Sequence, residues 1–195
     1  MPALHTALMH ELTKIAKRIG RSDKATSHCY TEFYGPLLEP RRDSIRNVLE
    51  IGISDGGSLL MWHEYFPNAE IYGVDTRDFV NVSLKDLEQL PRMHLYFEDA
   101  YSTAFIKKLK GIKFDMMLDD GPHTQESWTY FLEHYRKLLA PDGIMMVEDI
   151  FTPQLAARLI GTFKGDQNRL SIIDRRATPG AYKEHFDNEI VLLYM

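Results

Sequence analysis

The sequence predicts an α/β protein with a mostly parallel sheet, helices on both faces of the sheet, and an antiparallel C-terminal hairpin. Between residues 46 and 150, five short apolar runs alternate with stretches of helical periodicity, which is typical of parallel β–α–β units. From residue 151 to 195 we expect a closing helix and then two strand-like runs, Leu170 to Asp174 and Glu189 to Tyr194. The loop between these runs carries Pro179 and Gly180, which indicates a hairpin whose antiparallel strand joins the sheet.

Length and composition limit the class of protein. The chain has 195 residues, of which 44% are hydrophobic and 26% charged, so it is long enough for one folded domain, residues 1–195, but not for two. Its formal net charge of −5 argues against a nucleic-acid or anionic-membrane binder, because both need a basic face. The single cysteine, Cys29, cannot form an internal disulfide, and no stretch reaches the roughly 20 apolar residues of a membrane helix. We therefore expect a soluble cytoplasmic protein.

Residues 1–40 predict a helical cover made of two helices joined by a polar loop. Apolar residues recur at helical spacing up to Gly20, and again from Tyr30 to the break at Pro40. The members of these two stripes are Leu4, Leu8, Leu12, Ile15 and Ile19, followed by Tyr30, Phe33, Tyr34, Leu37 and Leu38.

Residues 46–150 predict the core of the protein. The five apolar runs begin at Asn47, Glu70, Met93, Phe114 and Ile144. Helical patterns between them include Leu59 to Phe66, in which Trp62 and Phe66 are expected to be core residues, and Thr124 to Leu139. Four of the five runs end in acidic residues, and ligands of parallel sheets collect at this edge. The acids are Asp75, Asp99, Asp119 with Asp120, and Glu148 with Asp149.

The first run continues into a glycine-rich loop, 50-EIGISDGGS. Its glycines let the backbone turn sharply and approach a ligand, although a plain glycine-rich turn would look the same. Asp75, at the end of the second run, lies where an acid binds ribose hydroxyls in nucleotide-binding sheets. Ser54 occupies a position where the dinucleotide fingerprint needs glycine, which disfavours a nicotinamide cofactor.

The acidic ends of the last two runs predict a metal site. Asp120, Glu148 and Asp149 would be neighbours if these strands lie side by side, and three crowded carboxylates repel unless a cation lies between them. Oxygen ligands favour Mg²⁺, Ca²⁺ or Mn²⁺, and the lack of converging cysteines disfavours zinc. His123 is either a general base beside this metal or only the residue before a helix.

Taken in order, these motifs resemble class I S-adenosylmethionine-dependent methyltransferases, and within them the metal-dependent sugar O-methyltransferases of antibiotic biosynthesis. That group includes the macrocin, mycinamicin and rhamnosyl enzymes. The resemblance covers roughly residues 22 to 150, through the segments 22-SDKATSHCY, 50-EIGISDGGSLLMW, 119-DDGPH and 148-ED. Catechol-type enzymes differ, with D-x-x-K and D-N in the corresponding places. The resemblance implies a Rossmann-like methyltransferase fold.

The resemblance also implies an activity and a set of site residues. The reaction would be methyl transfer from S-adenosylmethionine to a sugar hydroxyl, with Mg²⁺ or Mn²⁺ held by Asp120, Glu148 and Asp149 and with His123 as general base. The residues assigned to the cofactor are Lys24, Tyr30, Glu50, Gly52, Ser58, Asp75, Asp99, Ala100 and Asp119. Without the resemblance, Lys24 and Tyr30 would be read as part of a solvated loop, and Asp119 also has a purely structural interpretation.

Several alternatives stay open on the sequence alone. The acceptor would be a sugar or glycan, but a phenol is a second acceptor class, and a non-catalytic S-adenosylmethionine-binding module is a third interpretation. Arg175 and Arg176 either reach an anionic acceptor or are ordinary surface arginines. Acceptor choice would lie in the loops 22–28, 151–154 and 176–188, or be completed by a second subunit of a homo-oligomer or by the rest of a larger glycan-building protein.

Overall fold

The computed structural model describes residues 9–76, 82–176 and 190–195. Its centre is a seven-stranded sheet with the strand order β3-β2-β1-β4-β5-β7-β6. The strands are β1 Asn47–Ile51, β2 Glu70–Asp75, β3 Met93–Phe97, β4 Phe114–Asp119, β5 Leu139–Val147, β6 Leu170–Asp174 and β7 Ile190–Tyr194.

Five strands, β1 to β5, run parallel, and β7 lies antiparallel between β5 and β6. The predicted α/β fold with its antiparallel C-terminal hairpin is therefore confirmed. The register matters for the site, because Asp119 at the end of β4 pairs with Val147 at the end of β5. The next residue, Glu148, donates its backbone N–H to the Asp119 carbonyl at 3.0 Å. The two acidic segments thus lie side by side.

Helices cover both faces of this sheet. They are α1 Glu11–Ile19, α2 Tyr30–Leu38, α3 Gly57–Tyr65, α4 Val82–Glu88, α5 Thr103–Lys108, α6 Gln125–His134 and α7 Pro153–Thr162. Short 3-10 turns occur at Asp23–Ala25, Glu39–Arg41, Tyr135–Leu138 and Gln167–Arg169. The predicted cover helices are found at α1 and α2, and Gly20 ends α1 in a left-handed cap. Leu4 and Leu8, and the hairpin residues Pro179 and Gly180, lie outside the described residues.

One predicted boundary is wrong. The helical pattern read from Thr124 to Leu139 ends as an α-helix at His134 and continues as a 3-10 turn to Leu138. Strand β5 then begins at Leu139, which pairs with Phe114, well before the apolar run at Ile144. The first four residues of β5 are half-buried or exposed and include Pro141 and Asp142, which interrupt the apolar run that predicted this strand.

The core has two layers, one on each face of the sheet. On one face, α1, α2 and α3 contribute fully buried Leu12, Tyr34 and Trp62. On the other face, α5 and α6 contribute Phe105 and Trp128, with further buried side chains from α7. Phe66 is also fully buried, so both aromatic residues assigned to the core lie there. Within the described residues, no helix combines the length and apolar character that a membrane crossing requires.

Candidate active site

The loop after β1 passes very close to the loop after β4. Gly52 has a positive φ of 92°, and a Cβ atom built on it would lie 2.0 Å from the backbone oxygen of Asp120. No side chain larger than hydrogen fits there, and the conformation itself favours glycine. Gly52 is therefore required by the packing of the two loops against each other.

The loop after β1 keeps its sharp turn although Ser54 stands where glycine is expected. Ser54 replaces the expected glycine yet adopts a left-handed conformation, with φ 47°. The loop then directs two backbone amides at Asp75, whose Oδ2 accepts from Ile53 N at 3.1 Å and from Ser54 N at 3.4 Å. The serine therefore leaves the turn intact, and the turn orients the acid of β2.

Two cavities lie along the carboxyl edge of the sheet. The first, which we call the Asp75 cavity, has a volume of about 500 Å³ and is lined by Asp75, Asp99 and Ala100. The second, the His123 cavity, has a volume of about 430 Å³. Its lining includes Lys24, His28, Ser58, Asp120, His123 and Asp149. The two cavities share Gly52, Asp120 and Gly121, so they meet at the loop after β4.

Three side chains converge in the His123 cavity, and one of them, Asp120, also lines the Asp75 cavity. Asp120, His123 and Asp149 each offer one atom to a common point, and these atoms lie within 4.8 Å of one another. His123 Nε2 is 3.2 Å from Asp120 Oδ1 and 3.6 Å from Asp149 Oδ2. Both His123 and Asp149 have a left-handed backbone, with φ of 53° and 57°, at a cost of roughly 1 kcal/mol or more each. The fold maintains this strain at the place where ligating groups meet.

Glu148 lies beside this cluster, but both of its oxygens bind groups of the cover. The side chain is fully buried, its Oε1 accepts from Tyr34 Oη at 2.5 Å, and its Oε2 accepts from the Lys24 ammonium. The predicted ligands Asp120 and Asp149 are thus brought together with His123, while Glu148 is linked to Asp120 through Lys24.

Lys24 occupies the centre of the acidic region. Its side chain is 2% exposed, and Nζ lies 2.5 Å from Asp120 Oδ2 and 3.6 Å from Glu50 Oε1, in addition to its bond to Glu148. Burial opposes the charged form, but the surrounding carboxylates outweigh it and hold the pKa of Lys24 well above its usual value. Burial likewise opposes the charge of Asp120, yet Lys24 and His123 lower the pKa of that carboxyl to about 2.

Two further groups of the cover contact Asp149. Tyr30 Oη donates a hydrogen bond to Asp149 Oδ1, which places Tyr30 on the acidic side of the site. His28 stacks on Tyr30 with 5.2 Å between ring centroids, and its two nitrogens lie 3.5 Å from Asp23 Oδ2 and 3.9 Å from Asp149 Oδ1. Sequence analysis placed His28 in the same segment as Lys24 and Tyr30, 22-SDKATSHCY, but assigned only those two residues to the cofactor.

Glu50 and Asp119 are fully buried, and burial raises the pKa of each to about 7. Glu50 accepts a hydrogen bond from Trp62 Nε1 at 3.0 Å. Asp119 accepts from Tyr101 Oη at 2.6 Å and from the backbone of Gly121 at 3.2 Å. Asp119 therefore connects the loops after β3 and β4, whereas Glu50 connects β1 to α3.

Among the described residues, neither Arg175 nor Arg176 lines the Asp75 cavity or the His123 cavity. Arg175 donates to the Cys29 carbonyl at 3.0 Å and pairs with Glu32, so it joins the hairpin to the cover. Arg176 pairs with Asp174 at 2.6 Å. Arg176 is thus a surface arginine, as the second interpretation expected, whereas Arg175 is largely buried in a contact with the cover.

Comparison with known proteins gives a family match and several relatives. A family model described as "Methyltransferase domain" matches residues 49–150. The 8-demethyl-8-alpha-L-rhamnosyl tetracenomycin-C 2'-O-methyltransferase of Streptomyces olivaceus is 33% identical over 150 residues, which is 72% of this chain and 38% of that protein. The mycinamicin VI 2''-O-methyltransferase of Micromonospora griseorubida is 28% identical over 155 residues, 73% of this chain and 36% of that protein. The chain thus matches well under half the length of these relatives.

Two solved structures share the fold. The methyltransferase MycE of the mycinamycin pathway, in complex with Mg and SAH, has a TM-score of 0.69 at 23% identity, over 94% of this chain and 53% of that chain. The SAH-bound methyltransferase PaMTH1 of Podospora anserina has a TM-score of 0.61 at 18% identity, over 93% and 86% of the two chains. Since the family model spans just over half of the chain and the fold matches that of MycE, the chain belongs to the methyltransferase-domain family and has the fold of the class I S-adenosylmethionine-dependent methyltransferases.

Proposed function

We propose that the chain transfers a methyl group from S-adenosylmethionine to a sugar hydroxyl, in the presence of Mg²⁺ or Mn²⁺. The observation that carries this proposal is the junction of the two cavities at Asp120 and Gly121. A donor whose nucleoside lies in the Asp75 cavity would have its reactive end beside the acidic cluster and His123. The names of the curated relatives, which methylate sugar positions, support a sugar as the acceptor.

The donor half of the proposal rests on the Asp75 cavity. Asp75 is oriented by the amides of the loop after β1 and lines the cavity, where it would accept hydrogen bonds from ribose hydroxyls. Asp99 and Ala100, on the loop after β3, would lie beside the adenine. Ser58, at the start of α3, lines the His123 cavity and would contact the amino-acid end of the donor. Glu50, Gly52 and Asp119 would shape the loops around the donor.

The metal half rests on the carboxylates. Burial, and then repulsion from Asp120, raises the pKa of Asp149, and a divalent cation between the two groups would remove that repulsion. These oxygen ligands suit Mg²⁺ or Mn²⁺, with Asp120 and Asp149 as ligands and Glu148 as the third carboxylate beside them. The ion would supply positive charge that orients a sugar hydroxyl and makes it more acidic.

His123 is assigned the proton. A histidine bound to the metal through Nε2 could not accept a proton at that atom. We therefore assign metal binding to the carboxylates, and we assign Nε2 of His123 to accept the proton of the acceptor hydroxyl. The acceptor oxygen would form a bond to the methyl carbon as the carbon–sulfur bond breaks, and its proton would pass to Nε2. Placement of the two reactants side by side would supply much of the rate.

The test is methyl transfer with candidate glycans and S-adenosylmethionine, followed by mass spectrometry. Chelation should abolish product and added Mg²⁺ should restore it, whereas turnover that is indifferent to both would exclude the metal. His123→Ala should lower turnover by about 10²- to 10⁴-fold while the calorimetric affinity for S-adenosylmethionine stays unchanged. Product from phenols only, or donor binding without any turnover, would favour one of the two alternative interpretations instead.

A further inference from the structure

Lys24 lies where the proposed metal needs its ligands. The ammonium contacts one oxygen of Asp120, at 2.5 Å, and one oxygen of Glu148. These are two of the three carboxylates that the sequence assigns to the metal. The remaining one, Asp149, is contacted by Tyr30 and has His123 within 3.6 Å.

Lys24 and a divalent ion would interfere with each other at these carboxylates. Each hydrogen bond from the ammonium occupies one acceptor site of a carboxylate oxygen and neutralises negative charge that would otherwise attract a metal to the same group. In addition, an ammonium and a divalent cation that share Asp120 would repel strongly in a buried environment. The two cations are therefore alternatives at Asp120 and Glu148.

Lys24 also links this chemistry to the cover. It belongs to the 3-10 turn Asp23–Ala25, which connects α1 to α2, and Ser22 caps that turn through Lys24 N at 3.3 Å. The neighbouring Arg21 donates to the Asp55 carbonyl and has Nε 3.6 Å from Asp55 Oδ2. The cover is thus attached at the glycine-rich loop by Arg21 and at the acidic cluster by Lys24.

We propose that Lys24 is an internal cation that competes with the divalent metal for Asp120 and Glu148. Metal binding is thereby coupled to the packing of the cover against the site. In the metal-free protein Lys24 neutralises the buried carboxylates and holds the turn Asp23–Ala25 on the site. Metal binding displaces the ammonium and releases Glu148 from Lys24 to complete the ligand set. This inference rests on the proposed function, because it requires a metal at the cluster.

The first test compares Mg²⁺ binding by the wild-type chain and by Lys24→Met, in calorimetry without donor or acceptor. Loss of the competing cation should lower the Kd for Mg²⁺ by about tenfold or more. Thermal unfolding should agree, since Mg²⁺ should raise the Tm of Lys24→Met more than that of the wild type. Lys14→Met is the matched control, because Lys14 is exposed and its ion pair among the described residues is with Glu11, and its Kd should equal that of the wild type.

The second test uses the wild-type chain and does not depend on a stable variant. Lysine acetylation, mapped by mass spectrometry, should spare Lys24 in the presence of chelator and modify it when Mg²⁺ is saturating. Lys164, whose side chain is 80% exposed, should be modified equally in both conditions and serves as the internal reference.

The outcomes separate the two proposals. If Mg²⁺ binds the wild type and its Kd for Lys24→Met is unchanged or higher, the competition between Lys24 and the metal is wrong. The metal site of the proposed function is then unaffected. If Lys24→Met does not fold, the labelling decides, and Lys24 that stays protected at saturating Mg²⁺ overturns the inference. If Mg²⁺ binds neither protein, the metal part of the proposed function is wrong, and the proposed competition is wrong for the same reason.

Discussion

The two ends of the site are held by different kinds of contact. At the Asp75 cavity, backbone amides of the strand-end loops orient the acids: Ile53 and Ser54 donate to Asp75, and Tyr101 N donates to Asp99 at 2.8 Å. At the acidic cluster, side chains of the cover bind the carboxylates. These side chains are Lys24, which contacts Asp120 and Glu148, Tyr30, which contacts Asp149, and Tyr34, which contacts Glu148.

This difference indicates what each end can do. Backbone amides stay in place as long as the turn is intact, so the Asp75 cavity, the donor end of the site under the proposed function, would offer the donor preformed contacts. An ammonium and two hydroxyls on a separate helical segment can be replaced by other ligands, so the acidic end can respond to a metal. We expect substitutions to separate the two ends, except at the residue where they meet.

The largest effect on stability is expected at that meeting point. Gly52→Ala places a Cβ atom 2.0 Å from the Asp120 backbone oxygen and forces alanine into a φ of 92°. We expect a loss of roughly 3 kcal/mol in the free energy of unfolding, measured by urea denaturation. Gly161→Ala in α7 is the control: its Cβ meets no atom within 4 Å, and it should be neutral or stabilising by about 0.5–1 kcal/mol. A Gly52→Ala protein as stable as the wild type would show that the loops are not in contact.

A smaller, selective effect is expected from one acid at each end. Asp75→Asn should raise the Kd for S-adenosylmethionine by about tenfold or more, because it removes the charged acceptor at the donor end, and should leave Mg²⁺ binding unchanged. Asp149→Asn should do the opposite, with a Kd for Mg²⁺ raised by about tenfold or more and donor binding retained. Calorimetry with each ligand separately measures both. Equal losses of both ligands in either variant would contradict the division into two ends.

The smallest effect is expected from two matched tyrosines. Tyr34 donates to Glu148 Oε1 and Tyr101 donates to Asp119 Oδ1, so each Tyr→Phe change removes a hydroxyl donor from a buried carboxylate; Asp119 Oδ1 keeps its second donor, Gly121 N. We expect each to lower the free energy of unfolding by about 1–2 kcal/mol in the presence of chelator. Saturating Mg²⁺ should recover part of the loss in Tyr34→Phe only, since Glu148 is assigned to the metal. Recovery in both variants, or in neither, would place the metal elsewhere.

Much of the fold follows from local patterns in the sequence. The apolar runs at Asn47, Glu70, Met93 and Phe114 begin strands at those residues, because buried parallel strands need continuous apolar segments. The start of β5 at Leu139 was missed, because its first residues are partly exposed and pair with β4 through backbone hydrogen bonds. Backbone pairing of that kind leaves no trace in the spacing of apolar side chains.

For the site, the sequence by itself determined which acids meet. Strands that are followed directly by Asp120 and by Glu148 with Asp149 bring those residues to one edge whenever β4 and β5 are neighbours. Only the tertiary structure decided what each carboxylate oxygen contacts. Lys24 reaches Asp120 from 96 residues away, and Tyr34 reaches Glu148 from 114 residues away. Such pairings depend on how the cover packs on the sheet, and neither periodicity nor spacing encodes them, because both report only contacts between residues near in the chain.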